Sequence, residues 1–196
     1  MLTIHADRIE PQAWRNGGGR TRELLARPAG ADWKLRVSLA DIEADGPFSA
    51  FPGVQRWFAV VQGAGVVLRF ANGQRRVQAG DAPLCFDGGE GPGCSLTGGP
   101  TRDLNLMVRS GIGAMQPVEA GRAWNERFDE RGLFTLCAGR WFSGDAHAGG
   151  GNGRPSPKIR VEPHTLLWDL GEPPCRFVPD VDGPCGWWLG YSENAA

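Results

Sequence analysis

The sequence predicts an all-β protein, an antiparallel barrel or sandwich, from three observations. There are 30 glycines and 15 prolines among 196 residues, nearly twice the usual combined share of roughly 12 %. Punctuation at that density leaves little room for long helices and favours short strands joined by turns. Several segments alternate apolar and polar residues with a period of two, as half-buried strands do. An apolar stripe at helical spacing is absent almost everywhere, and only residues 118–131 read as a modest helical or irregular candidate.

The elements follow in order. Residues 33–39, WKLRVSL, place Trp33, Leu35, Val37 and Leu39 on one face and Lys34, Arg36 and Ser38 on the other, which makes a strand with one apolar side. Residues 56–62, RWFAVVQ, are nearly all apolar, as in a strand covered on both faces. After Gly63-Ala64-Gly65 comes the run 66–70, and Asn72-Gly73 is a tight-turn dipeptide leading into residues 74–77. Gly80-Asp81-Ala82-Pro83 turns the chain again. Residues 103–109, DLNLMVR, alternate once more, Asp103, Asn105 and Met107 against Leu104, Leu106 and Val108. A second series begins near residue 132, with strands expected at 133–138, 158–161, 165–168, 175–178 and 187–189. Within it, residues 144–157, GDAHAGGGNGRPSP, cannot hold a regular element and are expected to form a long exposed loop. The chain is thus a series of strands twice over, divided near 110–132.

Composition narrows the function. Hydrophobic residues make up 41 % and charged residues 22 %, a balance that packs rather than stays disordered. The formal net charge of -1, with bases and acids mixed, lacks the positive field that gathers nucleic acid. No stretch approaches the roughly 18 apolar residues that span a bilayer. The N-terminal MLTIHADRIEPQ has no long apolar run after a basic start, so a cytoplasmic protein without a membrane partner is expected. Cys85, Cys94, Cys137, Cys175 and Cys185 contain no CxxC pair and read as reduced, mostly buried thiols. His5, His147 and His164 are not paired at metal-ligand spacing, so no metal or other cofactor is expected. The eight tryptophans, Trp187-Trp188 among them, read as core or an association surface.

The stretch WRNGGGRTREL, residues 14–24, looks at first like a phosphate cradle. A dinucleotide fingerprint would follow a buried strand and open a helix, but IEPQAWRN precedes it. A P-loop would continue with Gly-Lys-Ser/Thr, and Arg20-Thr21-Arg22 stands there instead. A turn accounts for it better. Asn16-Gly17 readily takes positive φ, the further glycines admit a close backbone approach, and a strand begins at residues 21–24.

The candidate site is polar. Arg36 and Ser38 share one strand face, Asp103 and Asn105 another. These faces are either solvated or point together into a barrel mouth, where small ligands bind. Arg36 suits a carboxylate because its guanidinium fork matches the two oxygens. Asn105 donates and accepts, suiting an amide or imidazole. Trp14, Asn16, Thr21 and Glu23 would close over such a bowl, Trp14 offering a flat apolar surface. Glu23 would neutralise a ligand cation or pair with Arg36 or Arg56. Phe48 and Ser49 follow the turn Asp45-Gly46-Pro47 and would sit at the rim, unless Phe48 is ordinary core. Arg56 heads an apolar strand and needs a partner, either a buried acid such as Asp103 or a ligand anion. Cys85 and Cys94 have no histidine nearby in sequence to form a nucleophile pair, and no residue is assigned as catalytic.

The pattern Trp14, Asn16, Gly19, Thr21, Glu23 is followed by Trp33, Arg36, Ser38 and Ala40. Then come Gly46-Pro47-Phe48-Ser49, Phe51-Pro52-Gly53 and Arg56, a Gly63-x-Gly65 turn, and Asp103-x-Asn105-x-Met107. This ordered series, over residues 14–110, resembles the HutD/Ves family of cupin-like bacterial proteins. The resemblance implies a bicupin, two small double-stranded β-helix barrels packed together: residues 1–115 carrying the site, and residues 116–196 a degenerate second barrel. It also implies a role in histidine utilisation, binding a pathway intermediate such as urocanate or formylglutamate and limiting flux, while other members are described as stress-related. The expected partner is a small anionic metabolite, with a homodimer as a further option. The competing expectations are a metal-independent cupin isomerase or hydrolase using Glu23 or Asp103 as acid and base, and an interaction module without a ligand.

Overall fold

The computed structural model describes residues 1–143 and 159–194. The loop expected at 144–157, and His147 with it, lies outside the described residues. The first strands are β1 (Leu2–His5), β2 (Gln12–Ala13), β3 (Gly19–Arg27), β4 (Leu35–Ile42) and β5 (Gly46–Pro47). They are followed by β6 (Gln55–Gln62), β7 (Val66–Phe70), β8 (Gly73–Val77), β9 (Leu84–Asp87), β10 (Gly93–Leu96) and β11 (Thr101–Val108). The second series is β12 (Ile112–Pro117), β13 (Ala123–Trp124), β14 (Glu130–Thr135), β15 (Gly139–Ser143), β16 (Ile159–Val161), β17 (Thr165–Trp168), β18 (Cys175–Pro179) and β19 (Gly186–Ser192). The helical content of the described residues is two single 3-10 turns, Ala6–Arg8 and Gly88–Glu90. No helix among them is long and apolar enough to cross a membrane.

The chain divides into two compact units, Ala6–Gly113 and Met1–His5 with Ala114–Glu193. The first holds a six-stranded sheet, β2-β3-β4-β11-β6-β9, and a four-stranded sheet, β5-β10-β7-β8. The second holds the sheets β1-β17-β14-β19-β12 and β13-β18-β15-β16. None of the four closes on itself among the described residues. In the first unit Ile42, Phe58, Val60 and Phe86 of one sheet share a buried cluster with Val66, Leu68, Val77 and Cys94 of the other. The two sheets therefore face each other across a core. In the second unit Leu133, Leu167 and Trp188 meet Trp141, Val161, Cys175 and Phe177 in the same way.

Period two explains the central strands. Leu35, Val37 and Leu39 of β4 and Leu104 and Leu106 of β11 are all fully buried, and the two strands pair without interruption from Thr101↔Ile42 to Val108↔Leu35. Burying five such side chains contributes on the order of 2 kcal/mol each before the cost of ordering the chain. β6 is buried from Arg56 to Val61, in keeping with its unbroken apolar run.

Two expectations are refined. Of the two options for residues 118–131, the chain takes the irregular one: the segment holds the two-residue β13, irregular chain and the first two residues of β14. Trp124 stacks on Trp188 at 5.0 Å and on Phe128 at 6.2 Å, so aromatic packing fixes this segment where no helical period exists. Trp33 is buried but precedes β4, its ring under the Arg109 guanidinium at 4.5 Å and against Phe51 at 6.4 Å. The Trp187-Trp188 pair is core, each ring 3 % exposed.

Candidate functional site

The inner face of the six-stranded sheet collects the polar residues. Side chains at paired positions of neighbouring strands point the same way, so the register defines rows. One row runs Thr21, Ala40, Asp103, Val60; the next Glu23, Ser38, Asn105, Phe58; the third Ala26, Arg36, Met107, Arg56, Phe86. Two bulges shape these rows. Leu24 is the extra residue of β3, and Val61 is the extra residue of β6 opposite the Arg102–Asp103 step. Each lets an additional apolar side chain reach the core while the polar residues keep the inner face.

A cavity of about 670 Å³ opens on this face, within the unit Ala6–Gly113. Of the residues singled out from the sequence, Trp14, Asn16, Thr21, Arg36, Ser38, Phe48, Ser49, Arg56 and Asn105 line it. Glu23 and Asp103 do not: Glu23 is exposed beside Arg36, and Asp103 is fully buried. The lining also includes Gln12, Arg15, Pro47, Phe51 and Met107, which the sequence reading did not select. Pro47, Phe51 and Met107 stand in the ordered pattern read from the sequence, and Met107 alternates with Asn105, so that pattern was a signal for them; Arg15 had only its adjacency to Trp14. Among the described residues no acid, histidine or cysteine lines the cavity, whereas three arginines do.

The loop before β3 forms one wall. Gly17 N donates to Trp14 O at 3.0 Å and Trp14 N to Gly19 O at 2.9 Å, while Asn16 Oδ1 accepts from Gly18 N at 3.1 Å. Gly17 has φ +72°, which glycine adopts without penalty. Trp14 Nε1 donates to Thr21 Oγ1 at 2.7 Å, fixing the indole. The glycine run is thus a tight hairpin loop that holds a tryptophan at the cavity wall.

Arg56 is 8 % exposed. Its Nε donates to Asn105 Oδ1 at 2.8 Å, and its guanidinium carbon lies 4.5 Å from the Phe48 ring centre and 5.5 Å from that of Phe86. It forms no ion pair among the described residues, Asp103 included. Burial lowers its pKa to about 10, opposed by Asp103 and reinforced by Arg36, so it remains a cation at neutral pH. Arg36 Nε donates to Glu23 Oε2 at 2.8 Å, its only hydrogen bond among the described residues. Its two terminal nitrogens are left for another acceptor. Asp103 accepts from Thr101 Oγ1 at 3.0 Å through Oδ2, and its buried Oδ1 has no partner. Burial pushes its carboxyl up to about 8, against the pull of Thr101 and Arg56.

On the sheet's other face, Asp41 accepts from Arg22 at 2.6 Å and Arg102 at 2.7 Å. Burial alone would raise its carboxyl, but the two guanidinium groups outweigh it and hold the pKa below the usual carboxylate value. This network is structural and stands apart from the cavity.

Fold and site together define an all-β, cupin-like protein with an arginine-lined cavity in one unit. The sequence matches the HutD family profile over residues 6–144, and the chain belongs to that family. Protein Ves of Citrobacter koseri is 33 % identical over 134 residues, covering 67 % of this chain and 70 % of the relative. Protein Ves of Cronobacter sakazakii is 30 % identical over 129 residues, covering 65 % and 71 %. A structure of HutD from Pseudomonas fluorescens SBW25, described for a formate condition, superposes with TM-score 0.78 at 25 % identity, covering 97 % of this chain and 98 % of that one. Oxalate decarboxylase of Bacillus subtilis superposes with TM-score 0.60 at 9 % identity, covering all of this chain and 78 % of that one, which shows the fold alone. That decarboxylase is described as having Mn(II) centres. The cavity here, lined by no histidine, cysteine or acid among the described residues, does not fit such an ion, and no group of three or more such residues gathers elsewhere among them.

Proposed function

We propose that the protein binds a small organic anion in the cavity of its N-terminal unit and acts without catalysing a reaction. The observation that carries this is the arginine balance: Arg15, Arg36 and Arg56 line the cavity, and no acid is among its described lining residues, Glu23 reaching only Arg36 from outside the lining. A buried cation without an ion-pair partner, such as Arg56, favours an exogenous anion. Trp14, Phe48 and Phe51 add flat apolar walls, which suit a planar or short-chain carboxylate.

Family membership directs the choice of ligand to histidine utilisation, with urocanate or N-formylglutamate as the intermediate bound and restraint of pathway flux as the role. The reading extends to a cytoplasmic bicupin, the binding barrel expected at residues 1–115 falling on the unit Ala6–Gly113 and the degenerate one expected at 116–196 on Ala114–Glu193, which Met1–His5 joins by pairing β1 with β17. Two sheets in each unit support that assignment. The isomerase or hydrolase alternative is weaker, because Glu23 and Asp103, its acid and base, are not among the cavity's lining residues.

Thermal-shift and calorimetric titration with urocanate, N-formylglutamate, formate and a set of dicarboxylates tests the reading. Saturable binding is expected for at least one, weakened about tenfold to a hundredfold by Arg36→Ala, since a charge-assisted hydrogen bond contributes about 1.5–3 kcal/mol. No binding by any of them, or an affinity that Arg36→Ala leaves unchanged, contradicts it.

A further inference from the structure

We propose that Asp103 sets the charge of the cavity: its buried carboxyl takes up a proton as an anion settles on Arg56 and releases it as the anion leaves. The inference rests on the anion-binding reading above.

The geometry places a buried acid and a buried base on one face of the sheet, with the Asn105 row between them. Asp103 and Arg56 share the inner face of neighbouring strands, yet Arg56 Nε is bonded to Asn105 rather than to the acid. Asn105 Nδ2 turns back to the backbone oxygen of Asp103 at 3.5 Å, so Asn105 separates the two charges. Asp103 itself is fully buried with a single side-chain hydrogen bond and an unpartnered Oδ1. An ionised carboxylate is poorly served by such surroundings, and a neutral carboxyl much less so.

The groups that bear on Asp103 come from each packed element. Arg56 from β6 favours its ionisation and Asp41 from β4 disfavours it. Cys94 from β10 is itself pushed up to about 12, so it stays neutral and contributes no charge. Arg36 acts on Arg56. In the free protein the carboxyl changes charge near pH 8. An anion against Arg56 cancels the one nearby charge that favours ionisation and adds a like charge, so the carboxyl is harder still to ionise. By linkage, the bound state then holds more protons than the free state, and affinity falls as pH rises through that value.

Calorimetry of urocanate, N-formylglutamate and formate binding in buffers of different ionisation enthalpy reads the proton directly. Near pH 8 the wild-type protein is expected to take up about half a proton per anion, with affinity falling about tenfold from about pH 7 to about pH 9. Asp103→Asn is expected to bind with no proton uptake and with no fall in affinity over the same range. Binding without proton uptake in wild type, or uptake that persists in Asp103→Asn, overturns this inference and leaves the anion reading intact. Absence of binding by all three probes overturns both. Should Asp103→Asn fold poorly, carbonyl-detected NMR of the unsubstituted protein follows the same carboxyl. Half-titration near pH 8 is expected, and a carboxyl already ionised at pH 6 overturns the inference.

Discussion

A Cβ added at Gly19 would run into the backbone oxygen of Asp41 and sit 3.2 Å from the Trp14 ring. Neither neighbour is free to give way: the oxygen belongs to the central strand β4, and the indole is tied to Thr21. Gly19→Ala is therefore expected to destabilise the protein by about 1–3 kcal/mol through overpacking and to displace Trp14 from the cavity wall. Gly17 provides the contrast. It has φ +72° and nothing within 4 Å of an added Cβ, so Gly17→Ala meets only the backbone penalty of about 1 kcal/mol. Urea unfolding followed by tryptophan fluorescence separates the two. Equal midpoints for both variants would show that the close approach at Gly19 does not matter.

The two faces of β4 and β11 carry different burdens. Leu106 is fully buried on the face with Val37, and Leu106→Ala is expected to lower stability by about 2–5 kcal/mol. Arg36 lies on the opposite face, part-exposed and bonded to exposed Glu23, so Arg36→Ala is expected to cost within about 1 kcal/mol. Denaturant titration of both checks the contrast, and comparable losses would refute the assignment of faces. That division was legible in the sequence, because alternation in 33–39 and 103–109 reports directly which residues share a side. Alternation likewise put Arg36 with Ser38 and Asp103 with Asn105, but that the two pairs share one face follows only from the pairing of β4 with β11. The register was not legible. Nothing in the residue pattern marks the bulges at Leu24 and Val61, and these decide that Glu23 meets Ser38 while Asp103 lies opposite Val60. Nor could periodicity tell that Arg56 would be bonded to Asn105 instead of Asp103, because that depends on side-chain reach across two strands. Residues 118–131 were ambiguous for a related reason: Trp124 is held by the ring of Trp188, far away in sequence, and Phe128 stacks on Trp124 in turn.

All of the cavity's lining residues fall in the unit Ala6–Gly113, so binding should leave a signature confined to part of the molecule. A ligand that binds only the folded state stabilises it by about 2.7 kcal/mol at a hundred times Kd, and that gain appears as slower hydrogen exchange wherever opening requires the ligand to leave. With urocanate or N-formylglutamate near saturation, added protection is expected in β3, β4, β6 and β11 and in the loops around Trp14 and Phe48. β14, β17 and β19 should exchange as in the free protein, since they carry no lining residue other than Trp188, which faces a separate polar pocket of about 240 Å³. Protection centred on β14 and β19 instead would move the binding site to that second pocket. Its walls, Glu119, Arg122 and Glu126 among them, offer an anion two carboxylates beside a single arginine that is already bonded to Glu119 at 2.6 Å. The charge balance that favours an anion on Arg56 is thus reversed there, and protection confined to the first unit follows from that difference.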